Sequence, residues 1–441
     1  MIQGVTRRSL LLASGAALLA ASSRPSGAAL QLDITRGFVE PVPIAVSPFA
    51  GDGPQARELG PKIAEVVAAD LDSSGLFRTI DRRSYIQTPD ELRAGPRFGD
   101  WRQINAQGLI AGITSTPNPG NIATEFRLWD VFGGTQTLGF RFETSAGQWR
   151  RLAHKIADAV YQRLSGEGPY FDTRIVHISE SGPARRRIKR VAMMDQDGAN
   201  HTLLSDGTSL VLTPRLSPDN TQMAYLAFRA PAPRVFLRDL ATGRETVLGE
   251  FDGMTFSPRF APDGRTMLLT MAQNGNSDLF AYDVATRRFR RLTDNAAIDT
   301  SPSFSPDGSK IAFNSDRGGS PQLYVMNSDG GNVRRISFGN GRYGEPEWSP
   351  RGDMLVFSKV LGGFFHIGVM RPDGSDERLV TRSFFDQTPT WAPNGRVIMF
   401  SRKDRGSGRT RLFSIDITGY NEREIATPQD ASDPDWSRLL A

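Results

Sequence analysis

Apolar and polar positions follow two different rhythms in this chain, and the change of rhythm divides it. Between residues 42 and 168, strand-like and helix-like patterns alternate. Pro43 to Pro48 and Leu109 to Ile113 are short apolar runs of the buried-strand kind, while Ile63, Val66, Val67 and Leu71 share one face of a helix that Ser73, Ser74 and Gly75 end. Glu125–Phe132 and Leu138–Glu143 predict a hairpin across Gly133 and Gly134. Leu152, Ile156, Ala159, Val160 and Leu164 then stripe a last helix, stopped by Gly166. Residues 42–168 therefore predict a small mixed α/β domain.

Beyond residue 169 the helical period disappears, and short apolar runs recur between polar turns at a fixed interval. The clearest marker is a heptad-length motif, seen in Pro258–Gly264 and Pro302–Gly308 as Pro-x-Phe-Ala/Ser-Pro-Asp-Gly, with variants at Pro214–Asn220, Pro346–Gly352 and Pro389–Gly395. A truncated sixth copy, Pro434–Ser437, lies near the end; the leading prolines are separated by 44, 44, 44, 43 and 45 residues. A period of this length with β-type sequence inside it marks propeller blades.

One unit shows how. Ser305-Pro306-Asp307-Gly308 is a turn in which proline presets φ, aspartate bonds locally and glycine accepts positive φ. Lys310–Asn314, Gln322–Met326 and Arg334–Ser337 follow as further strands, the last more polar, with a hairpin at Ser328–Gly331. The large residue two after each leading proline (Leu216, Phe260, Phe304, Trp348, Trp391, Trp436) is expected to fill the wedge between blades rather than to hold a ligand. The last unit has an inner strand alone. Its missing strands precede the first full motif, at Arg174–Ile178, Lys189–Met193 and His201–Leu204. Six blades closed by the C-terminal strand leave no free sheet edge at the seam.

Composition narrows the function. With no cysteine among 441 residues, disulfides, thiol chemistry and thiolate metal sites are excluded. Residues 1–28 have the form of an export signal: Arg7 and Arg8, an apolar stretch from Leu10 to Ala21 too short to span a bilayer, then Ser26-Gly27-Ala28 before Ala29. Thr6 to Leu11 also fits a twin-arginine signal, and the two export routes stay open. Without that segment the chain holds 50 basic against 48 acidic residues, which argues against nucleic-acid binding. The run Arg185–Arg187 is expected in a solvated loop.

Catalytic constellations are missing from the sequence pattern. There is no Gly-x-Ser-x-Gly elbow, and Gly51-Asp-Gly53 and Gly133-Gly134 lack the lysine and spacing of a phosphate loop. His154, His177, His201 and His366 are scattered, with no pair at metal-ligand spacing, and are expected at the surface or in packing. Asp219, Asp263 and Asp307 are needed by their turns. No catalytic residue, metal or cofactor is expected. The competing reading, an exported propeller enzyme such as a polysaccharide lyase or an orphaned peptidase propeller, would need histidines or carboxylates converging on the channel mouth.

The repeats, together with Pro43–Phe49, Ala69–Phe77, Phe126–Phe132, Leu152–Asp158 and Phe171–Ile175 ahead of them, resemble the TolB family, the periplasmic propeller proteins of the Tol–Pal system. The resemblance spans essentially the whole chain. It implies a non-enzymatic hub, a monomer without a transmembrane segment, that meets the outer membrane through the lipoprotein Pal and also binds the C-terminal domain of TolA. It places the system in outer-membrane integrity and envelope constriction at division. The implied layout is a signal over 1–28, a TolA-binding segment within 29–41, the α/β domain over 42–168 and the propeller over 169–441.

The TolA segment maps onto Ala29, Leu30, Gln31, Leu32, Asp33, Ile34, Thr35, Arg36 and Gly37, where Leu30, Leu32 and Ile34 alternate with polar residues as an added β-strand requires. The same alternation also suits a strand lying on its own domain. The Pal contacts map onto loops entering the inner strands just before the motif proline: Met254, Ser257, Asp299, Thr300, Glu345, Asp386 and Gln387.

Overall fold

The computed structural model describes residues 40–229, 232–249 and 253–441. The candidate export signal and the candidate TolA segment lie outside the described residues.

The first sheet runs in the order β3-β1-β4-β5-β6, with β2 beside β4. Its strands are β1 (Val42–Val46), β2 (Ala50–Asp52), β3 (Phe77–Thr79), β4 (Gly108–Ser115), β5 (Asn121–Asp130) and β6 (Thr135–Ser145). Strand β1 pairs in parallel with β3 and β4, so it is buried along its whole length and reads as a continuous apolar run. Two long helices cover the sheet, α1 (Pro54–Ser73) and, after the short α2 (Phe98–Gln103), α3 (Trp149–Ser165). Pro54 opens α1, where a missing N–H costs nothing, and Gly166 ends α3 in the left-handed conformation at φ 74°.

The rest of the described chain forms six four-stranded antiparallel sheets. Five are contiguous: blades 1 to 5 begin with the inner strands Leu210–Leu216, Met254–Phe260, Asp299–Phe304, Arg342–Trp348 and Asp386–Trp391. The sixth is shared between the chain ends. The C-terminal strand Asp430–Trp436 pairs with β7 (Arg174–Ser181), followed by β8 (Ile188–Asp195) and β9 (Thr202–Leu203). The ring is closed by its own tail, as the sequence predicts.

Each inner strand runs from what we call the inlet face of the ring to the turn face. At the turn face the motif's last residue (Asn220, Gly264, Gly308, Gly352, Gly395) takes φ between 58° and 78°. A Cβ on Gly308 would meet only Pro262 Cδ at 3.9 Å, so glycine is there for its backbone, not for space. The motif aromatics wedge between blades: Trp348 packs with Ala312, Leu323 and Val325 of blade 3 and with Leu355 and Phe357 of blade 4.

The α/β domain sits on the turn face. Glu167 pairs with Arg351 and Arg396, and Asn421 donates to the Ser73 carbonyl. Asp158 on α3 accepts the backbone N–H groups of Tyr170, Phe171 and Asp172 at 2.7, 2.8 and 3.0 Å, fixing the link between the domains. One apolar core runs through both, from Ile63 and Ile156 to Met399, Leu412 and Trp436. The inlet face stays clear of that domain.

Candidate functional site on the inlet face

Every inner strand carries a β-bulge at the same place. Ladder register shifts in all six sheets just before the motif proline. The residue there is Thr213, Ser257, Ser301, Glu345, Thr388 or Asp433, each non-glycine with φ between 49° and 53°. Six strained positions therefore ring the channel, each costing about 1–3 kcal/mol relative to relaxed backbone. The proline explains the kink, since it cannot donate to the ladder and is tolerated at a bulge.

Two residues on, a second ring comprises Arg215, Arg259, Ser303, Glu347, Thr390 and Asp435. Its members reach the next blade. Ser303 Oγ accepts the Trp348 N–H at 3.0 Å, Glu347 Oε1 that of Trp391 at 3.1 Å, and Asp435 Oδ2 that of Leu216 at 2.8 Å. In the bulge ring, Glu345 Oε2 accepts the Thr388 N–H at 2.9 Å. Across the channel Arg259 meets Glu347 at 2.7 Å and Asp435 at 3.6 Å. Burial pushes the Glu345 carboxyl up, and pushes that of Asp435 up against the pull of Arg215 and Arg259. These contacts stitch the blades together, and Arg215 Nε, 3.8 Å from Asp435, is left without a hydrogen-bond partner. On the turn face the channel opens into a cavity of about 650 Å3 lined by the second ring, the motif aromatics and the tail residues Arg438 and Leu439.

The seven candidate Pal residues divide into three kinds. The sequence places them in loops; in the structure all seven lie inside inner strands, because the ladder with the second strand begins upstream of the bulge. Asp299 and Asp386 are fully buried and held by Arg317 and Arg402 at 2.8 and 2.7 Å. They occupy the same position of their blades and anchor the strand ends. Glu345 turns into the channel. Met254 is exposed, while Ser257, Thr300 and Gln387 are half-buried along the inlet. Thr300 donates to Asn314 Oδ1 at 2.7 Å.

Sequence reasoning missed a more extensive feature. Leu210, Phe228, Met254, Ile298, Phe338, Phe364 and Phe384 are large, apolar and 39–73% exposed, and chain direction puts all of them on the inlet face. Arginines accompany the rings: Arg382 over Phe364 at 4.0 Å, Arg335 over Phe338 at 5.2 Å, Arg405 over Phe384 at 5.5 Å. Exposed aromatic and arginine residues around an apolar patch are the composition typical of protein-docking surfaces. The sequence signal was present, phenylalanines stranded in otherwise polar connections between blades.

The histidines are less scattered than their spacing implies. His177 and His201 come together with ring centroids 5.3 Å apart, because β7 and β9 flank β8 in one sheet. Burial holds the His177 pKa down to about 4, with His201 adding to the effect, so it packs as a neutral ring. His366 donates from Nδ1 to the Thr381 carbonyl at 2.7 Å. His154 is buried against Asp70 at 2.6 Å. Burial opposes its charge, yet the Asp70 carboxylate outweighs this and raises its pKa to about 9. Of the basic run, Arg185 and Arg186 are exposed, but Arg187 is drawn back onto Asp430 at 2.6 Å.

Comparison with known proteins agrees with this architecture. The family described as TolB beta propeller domain matches residues 161–440, and the TolB amino-terminal domain matches 30–137. The chain is 62% identical over 421 residues to the Tol-Pal system protein TolB of Paramagnetospirillum magneticum, covering 94% of each. Among solved structures it resembles the TolB crystal structure from Acinetobacter baumannii, at 26% identity and a TM-score of 0.81 over 93% of this chain and 100% of that one. Hydrazine synthase of Kuenenia stuttgartiensis shares the fold alone, with 14% identity and a TM-score of 0.51 over 62% of this chain and 47% of that chain.

Proposed function

This chain belongs to the TolB family of the Tol–Pal system, a non-enzymatic family, and from that premise we propose that it is a periplasmic hub joining Pal to TolA. Among the described residues no helix is long and apolar enough to cross a membrane. Pal docks on the inlet face, around Met254, Ser257, Thr300 and Gln387, with the exposed phenylalanines as its apolar border. Asp299, Glu345 and Asp386 shape that border from beneath. The observation that carries this reading is the concentration of exposed apolar residues and arginines on the one face that the α/β domain leaves open.

Residues 29–37 bind TolA by strand addition, so the two partners engage different segments of the chain. In the cell this linkage serves outer-membrane integrity and constriction at division. Met254→Arg combined with Thr300→Arg should weaken Pal at least tenfold in a calorimetric titration, with unfolding unchanged. Unaltered affinity would reject the inlet face. Deleting residues 29–37 should abolish TolA binding and spare Pal; loss of both in a folded protein would contradict the division of labour.

A further inference from the structure

Where α3 meets the sixth blade, three residues joined through Asp70 and Asp195 each have a buried side-chain atom without a hydrogen-bond partner: Arg150 Nε, His154 Nε2 and Gln196 Oε1. Of these only the amide oxygen is a standing acceptor; the imidazole nitrogen facing away from Asp70 can bind a cation once its proton is displaced. Two more acceptor groups stand beside them. One ring nitrogen of His154 and one oxygen each from Asp195 and Asp197 lie within 4.8 Å of one another.

The imidazole is oriented for this position. Its Nδ1 is held by Asp70 Oδ2 at 2.6 Å, and Asp70 Oδ1 accepts from Gln196 Nε2 at 2.8 Å. The amide is thereby turned so that its oxygen points elsewhere, and that oxygen is unpaired. A carboxylate on the far nitrogen of a histidine is the arrangement that orients metal-binding imidazoles and raises their basicity. His154, Asp70 and Gln196 are each 1% exposed.

Arg150 is the resident cation, meeting Asp195 Oδ2 at 3.5 Å and bonding Asp197 Oδ2. A guanidinium has only donors, directed here at the carboxylates, and the glutamine oxygen stays unmatched. A metal ion that displaces the ring proton would meet the His154 nitrogen together with the Asp195 and Asp197 carboxylates.

We propose that His154, Asp195 and Asp197, supported by Gln196 and oriented by Asp70, form a binding site for a divalent transition-metal ion, with Zn2+ the best match. One imidazole and two carboxylates without sulfur suit zinc and its first-row neighbours, whereas magnesium and calcium prefer oxygen alone. The ligands come from α3 of one domain and from the end of β8 and the turn after it in the other. The ion is therefore a clasp between the α/β domain and the ring. It is independent of the reading given for the inlet face.

The test uses the full chain, stripped with chelator and titrated with Zn2+ by calorimetry and with Co2+ by visible absorption. One ion per chain should bind, with the ligand-field bands of a nitrogen and oxygen site, and Zn2+ should raise the midpoint of thermal unfolding. Asp197→Asn, at a half-buried turn position that tolerates the change, should lower affinity about 100-fold, and Asp70→Asn about 10- to 100-fold. Arg150→Gln removes the competing cation and should tighten binding. Absence of stoichiometric binding at millimolar metal in the folded wild type would overturn the proposal. So would unchanged affinity in Asp197→Asn, weaker binding in Arg150→Gln, or saturation with Zn2+ that leaves the His154 ring resonances unmoved.

Discussion

The two ends of each inner strand face the same backbone problem and solve it differently. At the turn end a residue must take positive φ, and in four of the five complete motifs it is glycine, with Asn220 in the fifth. At the inlet end another residue must do so, and in all six blades it carries a side chain. Glycine serves where only geometry matters. At three of the six the side chain has a partner: Glu345 holds the next blade through the Thr388 N–H, Thr388 itself bonds Ser401 at 2.9 Å, and Asp433 accepts the Thr213 N–H at 3.4 Å. The turn end repeats in sequence because it repeats in task. The inlet end varies because its tasks differ from blade to blade.

That contrast can be broken or sharpened experimentally. The largest effect should come from removing residues 430–441, which takes the inner strand from β7 and leaves both faces without a closed ring. Cooperative thermal unfolding, worth about 5–15 kcal/mol in a typical domain, should be lost altogether. A smaller truncated ring that still melts cooperatively would show that closure is not what sustains the faces.

Next, Asp386→Asn should cost about 2–3 kcal/mol in urea unfolding, since it takes the buried carboxylate from Arg402 while Glu422 still holds that guanidinium. The Pal affinity of the folded fraction should hardly change, which would separate anchoring residues on the inlet face from contacting ones. On the other face, Glu167→Ala takes a shared carboxylate from Arg351 and Arg396, the latter still paired with Asp416, and should cost about 1–2 kcal/mol, again with Pal affinity intact. Reduced affinity would mean that the two faces are coupled. The smallest effect, and a gain, is expected from Ser301→Gly. Relief of its φ of 53° should stabilise the ring by about 1 kcal/mol, measured as a shift in urea midpoint. A loss instead would mean that the hydroxyl has a task of its own.

Much of the molecule was legible along the chain. The interval between motif prolines, the turn chemistry and the placement of strands before the first motif were enough for six blades and for closure by the tail, because these rest on bonds between near neighbours in sequence. The wedge role of Trp348 and Trp391 followed from their fixed offset within a stacked repeat. What spacing could not reveal was which polar residues would be consumed internally. Asp299 and Met254 read alike as residues ahead of a motif proline, yet one is buried under Arg317 and the other projects from the surface.

The same holds for the histidines. His177 and His201 are 24 residues apart, and His154 lies 41 and 43 residues from Asp195 and Asp197. Only the pairing of β7 with β8 and the seating of α3 on the ring bring each set together. The sequence by itself determined the repeat, its turns and its closure, since local sterics and periodic burial act through neighbouring residues. Exposure, ion pairing and the convergence of acceptors at the domain junction were decided by the tertiary structure, because each depends on what a distant segment places opposite.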